Sequence, residues 1–161
     1  MLRKLEEKDA PFMLEWMHDC TINCNFQYPF AEMTIEKVKD FIKNSFNEEN
    51  KHFAIVDAKD EYLGTISLKN ISQKNKNAEY AIVTRKKAHG TGAAMQATQE
   101  LLCYAFKELG LHKVYLNVLE DNIRARKFYE KCRFVQEGIS KDAIMASDGY
   151  QSLVWYGIIE G

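Results

Sequence analysis

Hydrophobic and polar positions follow two different periods along this chain, and the changes of period divide it into elements. After Thr34, the residues Ile35, Val38, Phe41 and Ile42 recur at steps of three and four, which predicts an amphipathic helix capped by Thr34. A shorter helix is predicted ahead of it, opening near Pro11, carrying Phe12, Leu14 and Trp16, and capped by Asp9. Met1 to Leu5 reads as an opening strand, and an irregular polar–aromatic segment, CTINCNFQYPF, separates the two helices. In the middle of the chain the helical period is lost. HFAIVD, YLGTISLKN and NAEYAIVT are rich in β-branched and aromatic residues and are separated by the polar turns DAKDE and SQKNKN, which predicts a three-stranded antiparallel meander. A long helix follows from about Gly92 to Leu109, stopped by Gly110, and KVYLNVL is again strand-like. A short helix from Asn122 to Lys131 and two strands, near Phe134 to Lys141 and Leu153 to Ile159, complete the order, with Asp148-Gly149 as the hairpin signal between them. Helices interleaved with strands in this way predict an α/β (α+β) domain, a mixed and mostly antiparallel sheet of six to seven strands with about four helices on its faces.

Composition narrows the function classes without choosing one. A chain of 161 residues is expected to form a single domain over 1–161 that buries about 68–70% of its unfolded surface. Its 22 basic and 23 acidic residues balance to a net charge of −1, so there is no global attraction to nucleic acid or anionic membrane, and anion recognition must be local. No run approaches the roughly 18 apolar residues of a membrane span. The opening MLRKLEEKDAPF lacks the apolar core of a signal peptide and is too acidic for a transit peptide. The four cysteines form no CxxC pair and read as reduced thiols of a cytoplasmic protein. His18, Cys20 and Cys24 are followed by no second ligand pair, so no metal site is expected.

Local anion chemistry is concentrated in RKKAHGTGAAMQATQELL, residues 85–102. A strand ends near Val83, glycines follow, and a helix begins at once. The first helical turn leaves four backbone N–H groups unpaired, and their dipoles favour negative charge. Gly90 and Gly92 leave no side chain to hold an anion off those amides, while Arg85, Lys86, Lys87 and His89 add positive charge. That combination suits a phosphate or pyrophosphate. It is not a P-loop, since no Lys-Ser or Lys-Thr follows Gly92, and it is not a dinucleotide fingerprint, since Met95 stands at the third glycine position. Taken alone, the segment equally describes a strand–turn–helix joint.

The second constellation is LEDNIRARKFYEKCRF. Ala125, Phe128, Tyr129 and Cys132 fall at i, i+3, i+4 and i+7 on one helical face, so Tyr129 points with the apolar residues and by itself reads as a core tyrosine with a satisfied hydroxyl. Asn122 reads as an N-cap. The two motifs together, the glycine turn opening an amphipathic helix and then a strand followed by D-N-x-x-A-x-x-F-Y-E-K-x-x-F, resemble the GNAT superfamily of acetyl-CoA-dependent N-acetyltransferases. The core of the resemblance spans about Asn77 to Gly138, and the order of elements fits across essentially the whole chain.

The resemblance implies roles for matching positions. Lys87, Gly90 and Gly92 take the pattern Q/R-x-x-G-x-G/A, and the amides of Ala88, His89, Gly90, Thr91, Gly92 and Ala93 would hold the coenzyme A pyrophosphate. Ile82 and Val83 would pair with the pantetheine arm as an added strand, Asn122 would bind the arm as well as cap its helix, and Tyr129 would protonate the departing thiolate. Glu79 resembles the carboxylate that many members use as base, often through water, and reads equally as an exposed strand residue. Lys87 departs from the usual Gln or Arg, and Arg133 stands where the family has Gly. An amine of pKa about 10.4 must lose a proton before it attacks, which costs roughly 4.6 kcal/mol at pH 7. Acceptor contacts are expected from Asn25, Gln27 and Tyr28, and the expected acceptor is a small amine or amino-sugar acetylated directly in a ternary complex. A ribosomal-protein type N-terminal acetyltransferase and a non-catalytic acyl-CoA-binding module are the alternatives. The aromatic final strand LVWYGII suits either a homodimer contact or the core.

Overall fold

In the computed structural model, which describes residues 1–24, 26 and 28–160, the fold is arranged about one strand. β3 (Tyr62–Ser72) is buried continuously from Tyr62 to Leu68, as expected of a strand covered on both faces. β2 (Lys51–Val56) and β4 (Asn77–Thr84) flank it, both antiparallel, so the meander forms in the predicted order. β1 (Leu2–Lys4) extends the sheet beyond β2. On the other side β5 (Lys113–Leu119) runs parallel to β4, and β7 (Gly149–Ile159) lies between β5 and β6 (Val135–Ala146). The seven strands are ordered β1-β2-β3-β4-β5-β7-β6. Since β7 has a strand on each side, LVWYGII belongs to the sheet interior rather than to a free edge.

Helices cover both faces. α1 (Ala10–Met17) and α3 (Ile35–Lys43) bury Met13, Trp16 and Val38 against Ala54, Val56 and Tyr62, with the one-turn α2 (Cys20–Asn23) between them. α4 (Ala93–Cys103) and α5 (Ile123–Lys131) cover the opposite face, where Ala97, Leu101 and Phe128 meet Ile66, Tyr80 and Leu116. Five α-helices thus stand where about four were expected. Thr34 caps α3 as predicted, its Oγ1 accepting from the Lys37 amide at 3.3 Å. Asp9 does not cap α1: its carboxylate accepts two hydrogen bonds from Arg3 at 2.8 Å and one from the Glu6 amide at 2.9 Å, which ties the chain start to the helix entry. The long helix is α-helical only to Cys103 and continues as a π-helical turn, Tyr104–Glu108, before Gly110 at φ +65°.

Two local features shape the working edge of the sheet. Register between β4 and β5 is confined to Asn77–Glu79 against Lys113–Tyr115, whereas β4 stays paired to β3 as far as Thr84 and β5 to β7 as far as Leu119. The two strands therefore part beyond Glu79 and leave facing edges unpaired, in the middle of the sheet. Gly64 lets β3 approach the end of β4 there, since a Cβ at that position would lie 2.4 Å from the Val83 carbonyl oxygen. At the far end of α5, Arg133 adopts φ +75°, its amide bonds the Glu130 carbonyl and the Phe134 amide bonds the Tyr129 carbonyl, both at 3.0 Å. That pair of bonds is the left-handed helix stop for which glycine is the usual residue, and it accounts for the position at which the family pattern carries Gly.

Candidate active site

Two cavities meet at the point where β4 leaves β5. The first, of about 560 Å³, runs from Gly90, Gly92 and Met95 at the start of α4 to Asn122 and Tyr129 on α5. The second, of about 580 Å³, lies on the other face under α1 and α3. Ile82 and Val83 line both, as does Phe26.

The first cavity opens on main chain at the glycine turn and is walled by the side chains of Phe26, Met95, Phe128 and Tyr129. Gly90 and Gly92 adopt φ +77° and +82°, a conformation costing other residues about 1–2 kcal/mol, and a Cβ at either would meet nothing within 4 Å, so open space lies over the turn. Among the described residues, the amides of Gly90, Gly92, Ala94 and Met95 find no hydrogen-bond acceptor, and these four residues are also cavity-lining. By contrast the Ala88, His89 and Thr91 amides bond the carbonyls of Arg85, Lys86 and Ala88, and that of Ala93 bonds the Thr91 hydroxyl at 3.3 Å. The free amides are thus displaced towards the helix relative to the predicted run from Ala88 to Ala93. Ala88 and His89 line the cavity with their other atoms, whereas Lys87, Thr91 and Ala93 do not.

Charge is also redistributed. Arg85 donates to Glu15 at 2.6 Å and to Glu61 at 3.3 Å, Lys86 pairs with Asp19 at 3.3 Å, and Lys87 pairs with Glu61. The basic run that marks the turn in the sequence is therefore neutralised by acidic partners drawn from α1, its C-terminal side and the β2–β3 turn. The cations that line the cavity are Arg124 and Lys131 of α5, neither of which has an ion-pair partner among the described residues. Sequence reasoning missed both. Their spacing of seven residues on a helix whose Asn122 and Tyr129 already face the cavity is the signal that identifies them.

Tyr129 lies among aromatic rings, with the Tyr80 centroid at 5.9 Å, Phe134 at 6.1 Å and Tyr156 at 6.3 Å. Tyr80 shares a hydrogen bond with the Thr98 hydroxyl at 2.7 Å, and the Tyr156 hydroxyl donates to Glu130 at 3.1 Å. The Tyr129 hydroxyl has no such partner among the described residues although the residue lines the cavity, so it is not a core tyrosine with a satisfied hydroxyl. Burial pushes it up to about 12, which keeps it protonated across the physiological range. Asn122 does cap α5, its Oδ1 accepting from the Ala125 amide at 3.3 Å, and it lines the cavity as well.

The second cavity is made of side chains. Met13, Trp16, Phe30 and Phe41 wall it, Thr65, Ser67 and His52 form its floor on the sheet, and Lys37, Asp40 and Lys69 bring charge to its rim. Tyr28 lines this cavity, while Asn25 and Gln27 lie outside the described residues. Ser67 Oγ holds the His52 ring at 2.6 Å, and burial together with the nearby Lys69 ammonium pushes His52 down to about 4. Glu79 lines neither cavity. It shares the β4 face of Ala81 and Val83 but is engaged by Lys69 at 3.4 Å and by the Asn70 amide at 3.3 Å.

An amide cradle at a helix start, a parted pair of strands and a half-buried, unpartnered tyrosine thus meet in one cavity, and residues 1–135 match the acetyltransferase (GNAT) domain family, to which the chain belongs. It is an acetyl-CoA-dependent N-acetyltransferase. Among its relatives, the spermidine N(1)-acetyltransferase of Vibrio cholerae is 29% identical over 156 residues, covering 94% of this chain and 88% of that one. The crystal structure of spermidine N-acetyltransferase from Vibrio cholerae in complex with CoA and spermine superposes with a TM-score of 0.89 at 27% identity, covering 99% of this chain and 94% of that one. A putative ribosomal N-acetyltransferase of Bacillus subtilis is 32% identical over 97 residues, but the match covers only 60% of this chain and 53% of that one.

Proposed function

We propose that the chain acetylates the primary amine of a small molecule by direct attack within a ternary complex, with the two cavities holding the two partners. The observation that carries this reading is the wall they share, since Ile82 and Val83 border both. Acetyl-CoA bound in the first cavity supplies an activated acetyl thioester. The chain's part is to hold and orient. The free amides of Gly90, Gly92, Ala94 and Met95 suit the pyrophosphate, with Arg124 and Lys131 as counter-charges, and the unpaired edge of β4 beyond Glu79 offers main-chain groups to an extended arm. Such positioning contributes on the order of 7–11 kcal/mol to acceleration.

Tyr129 holds its proton at Oη and presents it to the cavity. At about 12 it is a weaker acid than a thiol, whose ordinary value is about 8.5. Its role is that of a fixed hydrogen-bond donor to developing charge, with the proton lost by the amine balancing the step. The incoming amine sheds its proton more readily in the second cavity than in water, because its apolar walls disfavour the ammonium form. Glu79 stands on the same sheet face, paired with Lys69, and acts through solvent as the proton acceptor. Relatives named for spermidine acetylation support a small-molecule acceptor over a protein N-terminus, and four unpaired cysteines support a reducing, cytoplasmic setting. The test is acetyl transfer to a panel of amines and peptides, followed by thiol release. Turnover of peptides alone would reject the small-amine reading.

A further inference from the structure

Within that small-amine reading, the second cavity also says what kind of body carries the amine. A linear polyamine brings two or more positive charges a few ångströms apart, and desolvating each requires a carboxylate or an equivalent acceptor close by. The cavity offers one. Asp40 is its sole carboxylate among the lining residues, and Lys37 stands one turn before it on α3. Lys69, at the opposite rim, is matched by Glu79, so that pair contributes no net attraction for a cation. Summed over Lys37, Asp40, Lys69 and Glu79, the charge is 2 positive against 2 negative, which is zero.

What the cavity does provide is flat apolar contact on one side and uncharged hydrogen-bonding groups on the other. Trp16 and Phe30 are stacked edge to face at 4.9 Å on the α1 side, and Phe41 meets the His52 ring at 4.7 Å. His52 is tied to Ser67 through Nδ1, which leaves Nε2 without a partner among the described residues. The Asp40 carboxylate and the Lys37 ammonium are likewise unpartnered among them. A hydroxylated ring can stack its C–H face on the aromatic wall while its hydroxyls meet these three groups, donating to Asp40 and accepting from Lys37.

We propose that the acceptor is a primary amine borne on an uncharged, hydroxylated ring, the amino-sugar class, and that Lys37, Asp40 and His52 select it over linear polycations. This separates the chain in specificity from relatives named for spermidine, at a site the shared cofactor cavity does not constrain.

The experiment measures kcat/KM of the full chain with acetyl-CoA for glucosamine, cyclohexylamine and spermidine at one ionic strength, and repeats it with Lys37→Glu and Lys37→Gln. Glucosamine is expected to exceed spermidine by about tenfold or more, with cyclohexylamine between them. Lys37→Glu should shift the ratio about tenfold toward spermidine, equivalent to about 1.4 kcal/mol, and Lys37→Gln should shift it part of the way. Spermidine as the best substrate of the unaltered chain, or a ratio indifferent to both substitutions, overturns the assignment while leaving small-amine acetylation standing. No thiol release with any amine, despite calorimetric binding of acetyl-CoA, removes the small-amine reading and this assignment with it.

Discussion

The two cavities are built from different materials. One combines main-chain amides, glycines and alanines at a helix start with the side chains of Ile22, Phe26 and Met95 and one face of α5. The other is assembled from large side chains of α1, the segment after α2, α3 and three strands. A cavity made of main chain recognises what every acyl-coenzyme A shares and tolerates substitution wherever the backbone is kept. A cavity made of side chains can change its ligand with one or two substitutions. The two kinds of wall are thus physically separated, on opposite sides of Ile82 and Val83.

The largest test of this division is at Tyr129. Tyr129→Phe keeps the ring packing and removes the hydroxyl that donates to developing charge, so turnover should fall by about 10²–10³ while acetyl-CoA affinity by calorimetry changes little. Equal loss of both would return Tyr129 to a packing role. The unaltered enzyme should also show no loss of activity attributable to Tyr129 ionisation below about pH 11, since burial pushes this phenol up to about 12.

Acid sensitivity comes next and belongs to the side-chain cavity. His52 is pushed from 6.5 down to about 4, so the unfolded chain takes up a proton before the native one does. Stability is therefore retained above pH 6.5 and lost as pH falls from there to about 4, by up to about 3 kcal/mol. Urea unfolding of wild type and His52→Phe across this window should show the loss in the first and a flatter profile in the second.

Smaller effects probe the main-chain cavity. Gly92→Ala places a Cβ on a residue at φ +82° and should destabilise the fold by about 1–2 kcal/mol in thermal unfolding, the cost of the left-handed conformation. Arg133→Gly relieves the same conformation at the end of α5 and should stabilise the fold by about 1 kcal/mol in thermal unfolding. Smallest is a contrast between cations. Arg124→Ala should weaken acetyl-CoA binding several-fold at low salt, whereas Lys87→Ala should leave it within about twofold, because Lys87 is already committed to Glu61.

Most of the fold and half of the site could be read from the residues. The strand order through the meander, the Thr34 cap and the Asn122 cap follow from patterns within a few residues of each other. The glycine turn is equally local, and its free amides lie within two residues of the predicted run. What escaped depends on partners distant in sequence. Nothing near Arg85, Lys86 and Lys87 indicates that Glu15, Asp19 and Glu61 will neutralise them. Glu79 sits on a polar position of β4, but only the register to Lys69 shows that its carboxylate is already engaged. The second cavity gathers Trp16, Phe41, His52 and Ser67 from four separate elements, a conjunction that no periodicity contains.

Phe26 gives the division between the cavities its one leak. Its ring walls both, and packs against Phe30 at 5.4 Å and Trp16 at 6.2 Å. A single ring can satisfy only one geometry at a time, so filling either side biases where it rests and hence how readily the other side fills. Whatever factor the thioester imposes on amine affinity, the amine must return to the thioester unchanged. Any communication between the two substrates of an otherwise partitioned enzyme would then run through this phenyl group, beside the shared wall of Ile82 and Val83.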